Sequence, residues 1–350
     1  MAPPKAKVRP KASKQPTHKP QKERDAKVSQ EPPSAIPLEL QQLLLNIFRS
    51  SFSERFESDI TPLLQEVKGH LYNRDFLAAF GKEEYLEVYA ARWSPSRALG
   101  YLEVLESLRK EMQPFSTVDE ESEGSRWKVA CLGGGAGAEI VALGGFLKWL
   151  EMRVEEERGR EMNLVAIDIA DWGNVVEKLQ QGLVTKPPLS KYASTAAQAA
   201  NVALLHPACL NVSFKQHDVL NAPFSSLSPL VQDTNLVTLL FTLNELYSTS
   251  ISLTQQFLLN LTSSLRPGSF LLVVDSPGSY SSVSLNGAEK KYPMQWLLDH
   301  TLLEEERGAE PRWEKVKEDE SRWFRLDEKL KYPIELENMR FQLHFYRRLG

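Results

Sequence analysis

Cysteine is scarce: Cys131 and Cys209 are the only two in 350 residues. Two cannot build a disulfide framework, so a reducing compartment is the expected setting. No apolar run approaches the ~20 residues that cross a bilayer, which excludes a membrane-spanning helix. Residues 1–30 hold no apolar core of the kind a secretory signal needs, so export is not expected. Asn211-Val-Ser213 and Asn260-Leu-Thr262 match the glycosylation sequon, but without an export signal they read as coincidence. The six histidines lie far apart and none joins a Cys or His cluster, so no metal site is expected. Internal repeats are absent. What remains is 42% hydrophobic and 25% charged, the balance of an ordinary soluble globular protein.

The formal charge of −4 hides an asymmetry. Residues 1–30 carry nine basic side chains against Glu23 and Asp25, a net of +7, so the other 320 residues carry −11. An acidic body with a basic arm confines polyanion contacts to the arm and to local patches. The arm, rich in Lys, Pro and Gln, is expected to be disordered over 1–33. Two roles stay open for it: a solubilising tail, or nuclear import or RNA tethering through the cluster Lys5-Ala-Lys7-Val-Arg9-Pro-Lys11.

Over 36–112 the apolar spacing is helical: Leu40, Leu43, Leu44, Ile47 and Phe48 recur at three and four. Ser94-Pro95 predicts a junction there, with Ser94 as N-cap and Pro95 at the first helical position. A polar, acidic linker follows over 113–125. The pattern over 126–350 then alternates strand and helix: strands at Trp127–Leu132, Asn163–Ile169, Val212–Gln216, Leu236–Leu243 and Phe270–Asp275, helices at Ala138–Leu150 and Leu253–Leu265. Such alternation predicts an α/β fold with a doubly wound sheet. Arg340–Tyr346 alternates strictly and predicts an edge or antiparallel strand, making the sheet mixed. The charge-dense stretches Glu151–Glu161 and Glu304–Glu320 read as solvated helical faces.

The strongest chemical signal is Val129-Ala130-Cys131-Leu132-Gly133-Gly134-Gly135-Ala136-Gly137-Ala138-Glu139. A buried strand runs into a glycine turn that opens onto a helix, so a ligand can approach the backbone beside a helix N-terminus. Gly133, Gly135 and Ala138 fit the dinucleotide fingerprint; Gly133, Gly135 and Gly137 fit an S-adenosyl-L-methionine loop. Asp168 ends the second strand and suits ribose hydroxyls in either case. It lies 31 positions beyond Gly137, longer than the usual ~20, which a helix extension through Glu151–Glu161 explains. Asp171 and Trp172 are second candidates. Asp218 and Val219, after the third strand, offer an acid and a backbone N–H to an adenine edge. This second acid and the turn Leu265-Arg266-Pro267-Gly268 favour S-adenosylmethionine.

At the fourth strand's end, Asn244 and Glu245 should border the reacting group, because ligands lie at the carboxyl ends of such strands. The Asn/Asp-Pro-Pro-aromatic string of base amino-methyltransferases is absent. Neither Cys131, inside a strand, nor Cys209, before one, suits a nucleophile for attack on a pyrimidine C5.

Arg92-Trp93-Ser94-Pro95-Ser96-Arg97-Ala98-Leu99, the glycine loop, and Leu240-Phe241-Thr242-Leu243-Asn244-Glu245-Leu246 together resemble the fungal large-subunit (25S) rRNA uridine-N3 methyltransferases. The resemblance spans about Ile36 to the C-terminus. It implies a class I S-adenosylmethionine-dependent methyltransferase with an N-terminal helical extension, acting on ribosomal RNA or a pre-ribosome in the nucleus or nucleolus, with cytoplasm also open. The cofactor would be held by Gly133, Gly134, Gly135, Gly137, Asp168, Asp218 and Val219; Asn244 and Glu245 would be catalytic, with Glu245 assisting loss of the N3 proton. Arg92 and Arg97 would touch phosphate or base, unless they pack on Trp93. Cys131 departs from the superfamily, which often has an acid there, so the methionine ammonium is expected on backbone carbonyls or Glu139. An NAD-dependent oxidoreductase and an inactive methyltransferase-fold scaffold are the rival readings.

Overall fold

The computed structural model describes residues 34–112, 126–153, 160–189, 191–278, 280–285, 288–303 and 310–350. The expectations for the arm and for the 113–125 linker lie outside the described residues. The helices α1 (Leu38–Ser51), α2 (Thr61–Tyr72), α3 (Phe76–Ala79) and α4 (Glu83–Leu108) come first. Then follow β1 (Trp127–Leu132), α5 (Ala138–Arg153), β2 (Met162–Asp168), α6 (Gly173–Val184), α7 (Thr195–Ala200), β3 (Leu210–Gln216) and α8 (Phe224–Val231). The chain continues through β4 (Leu236–Leu240), α9 (Leu243–Thr249), α10 (Ile251–Ser264), β5 (Phe270–Asp275), the hairpin β6 (Tyr280–Leu285) and β7 (Ala288–Pro293), α11 (Met294–Leu303), β8 (Trp313–Phe324) and β9 (Met339–Arg348).

The main sheet has seven strands in the order β3-β2-β1-β4-β5-β9-β8. The first five are parallel, and β9 runs antiparallel to both β5 and β8. The chain winds outward from β1 in one direction and from β4 in the other, so the crevice of a doubly wound sheet opens at the carboxyl ends of β1 and β4. One apolar core lies on each face. Leu44, Val88, Ile140 and Leu179, from α1, α4, α5 and α6, fill one; Leu227, Tyr247, Phe257 and Leu297, from α8 to α11, fill the other. The helices over 36–112 thus share a core with the sheet, and Ala35–Gly350 is one compact unit. Buried Glu87 ties α4 to its neighbours by pairing with Arg55 at 2.5 Å and with Lys178.

Three expectations change. The Ser94-Pro95 junction is absent: α4 runs through it unbroken. Proline removes the N–H that would bond to the carbonyl four residues back, and here the Tyr332 hydroxyl donates to that carbonyl, Ala91 O, at 2.8 Å. Ser94 caps nothing; its Oγ donates to Ala136 O of the glycine loop at 2.7 Å. The fourth strand stops at Leu240, because Phe241 adopts φ 57° and turns the chain into α9. Trp313–Phe324, much of which lay in a stretch read as a helical face, is the edge strand β8. Its dense charge suits an edge that must not pair with another chain.

Candidate active site

The glycine loop leaves β1 with Gly133 at φ 77° and Gly137 at φ 81°, the left-handed region that side chains avoid. Its shape is fixed by Gly133 N–H donating to Ile167 O (2.7 Å) and Gly137 N–H to Gly134 O (3.1 Å). The loop is also packed by the protein itself. A Cβ on Gly133 would meet Thr242 at 2.2 Å, on Gly134 Glu139 Oε2 at 2.5 Å, on Gly135 Trp172 Cδ1 at 2.1 Å, and on Gly137 Leu179 Cδ1 at 2.1 Å. Close packing of the β4–α9 turn, α5 and α6 against the loop therefore requires glycine here by itself.

Asp168 ends β2 directly beside this loop. Its Oδ2 accepts from Gly135 N–H at 3.1 Å and its Oδ1 from Ala170 N–H at 3.3 Å. Burial pushes its pKa up, and these N–H groups pull the other way. Ile169, next along, is 56% exposed, an apolar surface at the mouth of the crevice that the sequence reading passed over. Trp172 is not free to stack on a ligand: it is buried, with its ring 5.2 Å from Phe80 and 5.7 Å from Tyr89. Asp171 accepts from Gly173 N–H at the start of α6. Asp218 and Val219 lie half-buried after β3. The Asp218 carboxylate accepts from Leu220 N–H, Asn221 N–H and Asn221 Nδ2 at 2.9–3.1 Å. Burial raises its pKa, but the Asn221 side chain and these backbone donors outweigh that and hold it below the usual carboxylate value.

Glu139 sits beneath the loop, 4% exposed, and its Oε1 accepts from the Thr238 hydroxyl at 2.5 Å. Burial, reinforced by the nearby Asp168 charge, raises its pKa to about 8 against the pull of that hydroxyl. With no cation beside it the group is held mainly as the neutral acid near pH 7, and an ammonium placed against it would draw the proton off.

Asn244 and Glu245 occupy the first turn of α9 rather than a strand end. Glu245 is 43% exposed, with Oε2 3.8 Å from Arg74 Nη1. Asn244 reaches inward through its backbone, whose N–H donates to Asp275 Oδ2 at 2.9 Å. Arg97, on α4, is partly buried and donates to the Tyr89 hydroxyl at 2.9 Å. Its guanidinium lies 5.2 Å from the Phe241 ring centroid, and Tyr101 stacks on Phe241 at 6.4 Å. Among the described residues Arg97 joins no ion pair. Arg92 is different: it is 7% exposed and paired with Glu337, so its charge is already committed.

Asp275 went unread in the sequence. The signal was present, an acid closing the apolar run Phe270–Val274, whose strand pairs with the one that leads into Asn244. Among the described residues no group of three or more His, Cys, Asp or Glu is placed to hold a metal ion, and no helix is long and apolar enough to cross a membrane.

A family model for SAM-dependent methyltransferases matches residues 48–347. The 25S rRNA (uridine(2843)-N(3))-methyltransferase of Saccharomyces cerevisiae is 34% identical over 328 residues, covering 87% of this chain and 84% of that protein. Solved structures overlap more loosely. A SAM-dependent methyltransferase from Methanosarcina mazei aligns at 11% identity and TM-score 0.35, over 63% of this chain and 92% of its own. The N-methyltransferase NodS from Bradyrhizobium japonicum WM9, solved with S-adenosyl-L-homocysteine, aligns at 12% identity and TM-score 0.35, over 76% and 97%.

Proposed function

The chain belongs to this family of S-adenosylmethionine-dependent methyltransferases, and from that premise we propose that it methylates N3 of a uridine in large-subunit ribosomal RNA. The observation that carries the substrate is the 34% identity to the yeast 25S rRNA uridine-N3 enzyme, sustained over 87% of the chain. S-adenosylmethionine supplies an activated methyl group on a sulfonium.

The residues at the crevice fit that cofactor. The backbone of Gly133, Gly134, Gly135 and Gly137 opens onto the N-terminus of α5. Asp168, oriented by backbone donors that include Gly135 and Ala170, would turn its remaining lone pairs to ribose hydroxyls, and exposed Ile169 would offer an apolar face to the adenine. Asp218 and Val219 would meet the adenine edge, with Asp218 pre-oriented by its turn. Asn244 and Glu245 would border the target base, and Arg97 is a cation available to it. Arg92 is set aside.

N3 lies on the Watson–Crick edge, so the uridine must be unpaired or flipped to be reached. N3 also carries a proton, and its nucleophilicity depends on losing it to an acceptor. Positioning the ring and excluding water would supply most of the remaining acceleration. Ribosome assembly, in the nucleus or nucleolus, is the setting this substrate implies. The test is incubation of the purified protein with S-adenosylmethionine and 25S rRNA fragments, followed by nucleoside mass spectrometry. N3-methyluridine is the expected product; methylation of another base, or none, would refute the proposal.

A further inference from the structure

Asp275 closes β5 beside the end of β4, and the residue is 2% exposed. Two backbone donors fix its orientation: Asn244 N–H to Oδ2 at 2.9 Å and Ser276 N–H to Oδ1 at 2.7 Å. It joins no ion pair among the described residues. Arg97 and Tyr101 face it from α4 and Glu245 from α9. On β9 its register partner is Gln342, which donates to Ser276 O and is joined through Oε1 to His344 Nε2 at 3.1 Å. Asn244 N–H belongs to the first turn of α9, so Asp275 also acts as a cap. An exposed Asn or Ser caps as well, however, and a carboxyl withdrawn from water costs stability that capping does not explain. Burial raises its pKa to about 6, partly offset by the two N–H donors and Arg97 and reinforced by Glu245. That makes a stronger base than a solvated carboxylate, still ionised at neutral pH. Glu245, half in solvent beside Arg74, has none of these constraints.

We propose that Asp275, rather than Glu245, accepts the N3 proton of the target uridine, while Arg97 offsets the negative charge that develops on the pyrimidine ring. This rests on the uridine reading above. The N3–H bond breaks with its proton passing to the Asp275 carboxylate, and the freed N3 electron pair forms the N–CH3 bond. The sulfonium C–S bond breaks with its electrons left on sulfur, and the Asp275 proton returns to water after the product leaves.

Single-turnover methylation of a 25S rRNA fragment across pH 5–9.5 tests this on the full chain. The wild-type rate should climb about tenfold per pH unit at low pH and level off above an inflection near pH 6. Asp275→Asn should lose roughly 10²–10⁴-fold at pH 7.5, the usual range for removal of a general base, and recover as pH rises. Glu245→Gln should keep a titrating inflection, moved slightly downward because the Glu245 charge helps raise the Asp275 pKa. S-adenosylhomocysteine affinity of Asp275→Asn, read by calorimetry, should stay within about threefold of wild type, which a collapsed cap would not allow. Equal rates for Asp275→Asn and wild type, or transfer of the whole loss to Glu245→Gln, would overturn the assignment. Should Asp275→Asn fail to fold, a wild-type profile without the inflection overturns it instead. No N3-methyluridine from wild type at any pH would defeat the substrate reading itself, a distinguishable failure.

Discussion

Replacing Glu139 with glutamine should make the protein more stable at neutral pH, and increasingly so as pH rises. The carboxyl is buried under the glycine loop, with a folded pKa of about 8 against 4.5 for the free side chain. Below pH 4.5 it is protonated in both states and contributes no pH dependence. Between 4.5 and 8 the unfolded chain releases the proton and the folded chain keeps it, so stability falls as pH rises, by about 1.4 kcal/mol per unit. At pH 7 the accumulated penalty is roughly 3 kcal/mol, and above pH 8 it stops growing. Glutamine has the same volume and keeps an oxygen to accept from the Thr238 hydroxyl, but it has no proton to lose. Urea denaturation of both proteins from pH 4.5 to 8.5 reads the difference directly. Asp275, whose pKa is also raised, cancels between wild type and variant. The two stability curves should meet near pH 4.5 and separate upward, with Glu139→Gln ahead by roughly 3 kcal/mol at pH 7. Parallel curves would refute the reasoning and mean that Glu139 ionises normally. Glutamine keeps the Thr238 hydrogen bond but cannot meet the cofactor's ammonium as a carboxylate, so unchanged S-adenosylhomocysteine affinity would place that contact elsewhere.

Gly135→Ala should lower both the melting temperature and cofactor affinity, because the new Cβ would fall 2.1 Å from Trp172 Cδ1, and overpacking of that kind costs about 1–3 kcal/mol; thermal melts of the variant without ligand separate this from a purely ligand-blocking effect. Asp168→Asn should weaken S-adenosylhomocysteine binding at least about tenfold by calorimetry, since a charge-assisted hydrogen bond contributes about 1.5–3 kcal/mol. Deleting residues 1–30, which carry +7 against −11 for the remainder, should weaken nonspecific RNA binding and flatten its dependence on salt while sparing cofactor affinity; an unchanged salt slope would put the RNA contacts on the folded body.

The order of parallel strands and helices was legible because a buried parallel strand is a short apolar run and its helix follows a turn, and both patterns are local. The strict alternation of Phe341, Leu343 and Phe345 likewise announced β9, although both its faces are buried, with Gln342 and His344 on the second. β8 was hidden by the same physics that protects it: a charged edge strand has the composition of a solvated helix. The Ser94-Pro95 junction failed for a different reason. Proline's cost inside a helix is an orphaned carbonyl, and no local rule foresees that Tyr332, distant in sequence, will donate to it.

The site divides along the same line. Its cofactor side is written on consecutive residues, since one strand, one turn and one helix start bring Gly133 to Glu139 together, and Asp168 is the end of the next strand. The reacting side proposed above would be assembled from α4, the β4–α9 turn and the end of β5, three pieces whose proximity is a property of the sheet order alone. Arg97 reads on the sequence as one arginine of a helix, no different from Arg92 five residues earlier. Only packing separates them: Arg92 turns to Glu337 and is neutralised, whereas Arg97 turns to Tyr89 and Phe241, within electrostatic reach of Asp275, and joins no ion pair among the described residues. The two arginines of one short motif therefore have opposite consequences. Removing Arg92 should cost the fold and leave substrate affinity alone; removing Arg97 should leave the fold nearly intact and act on the reacting side.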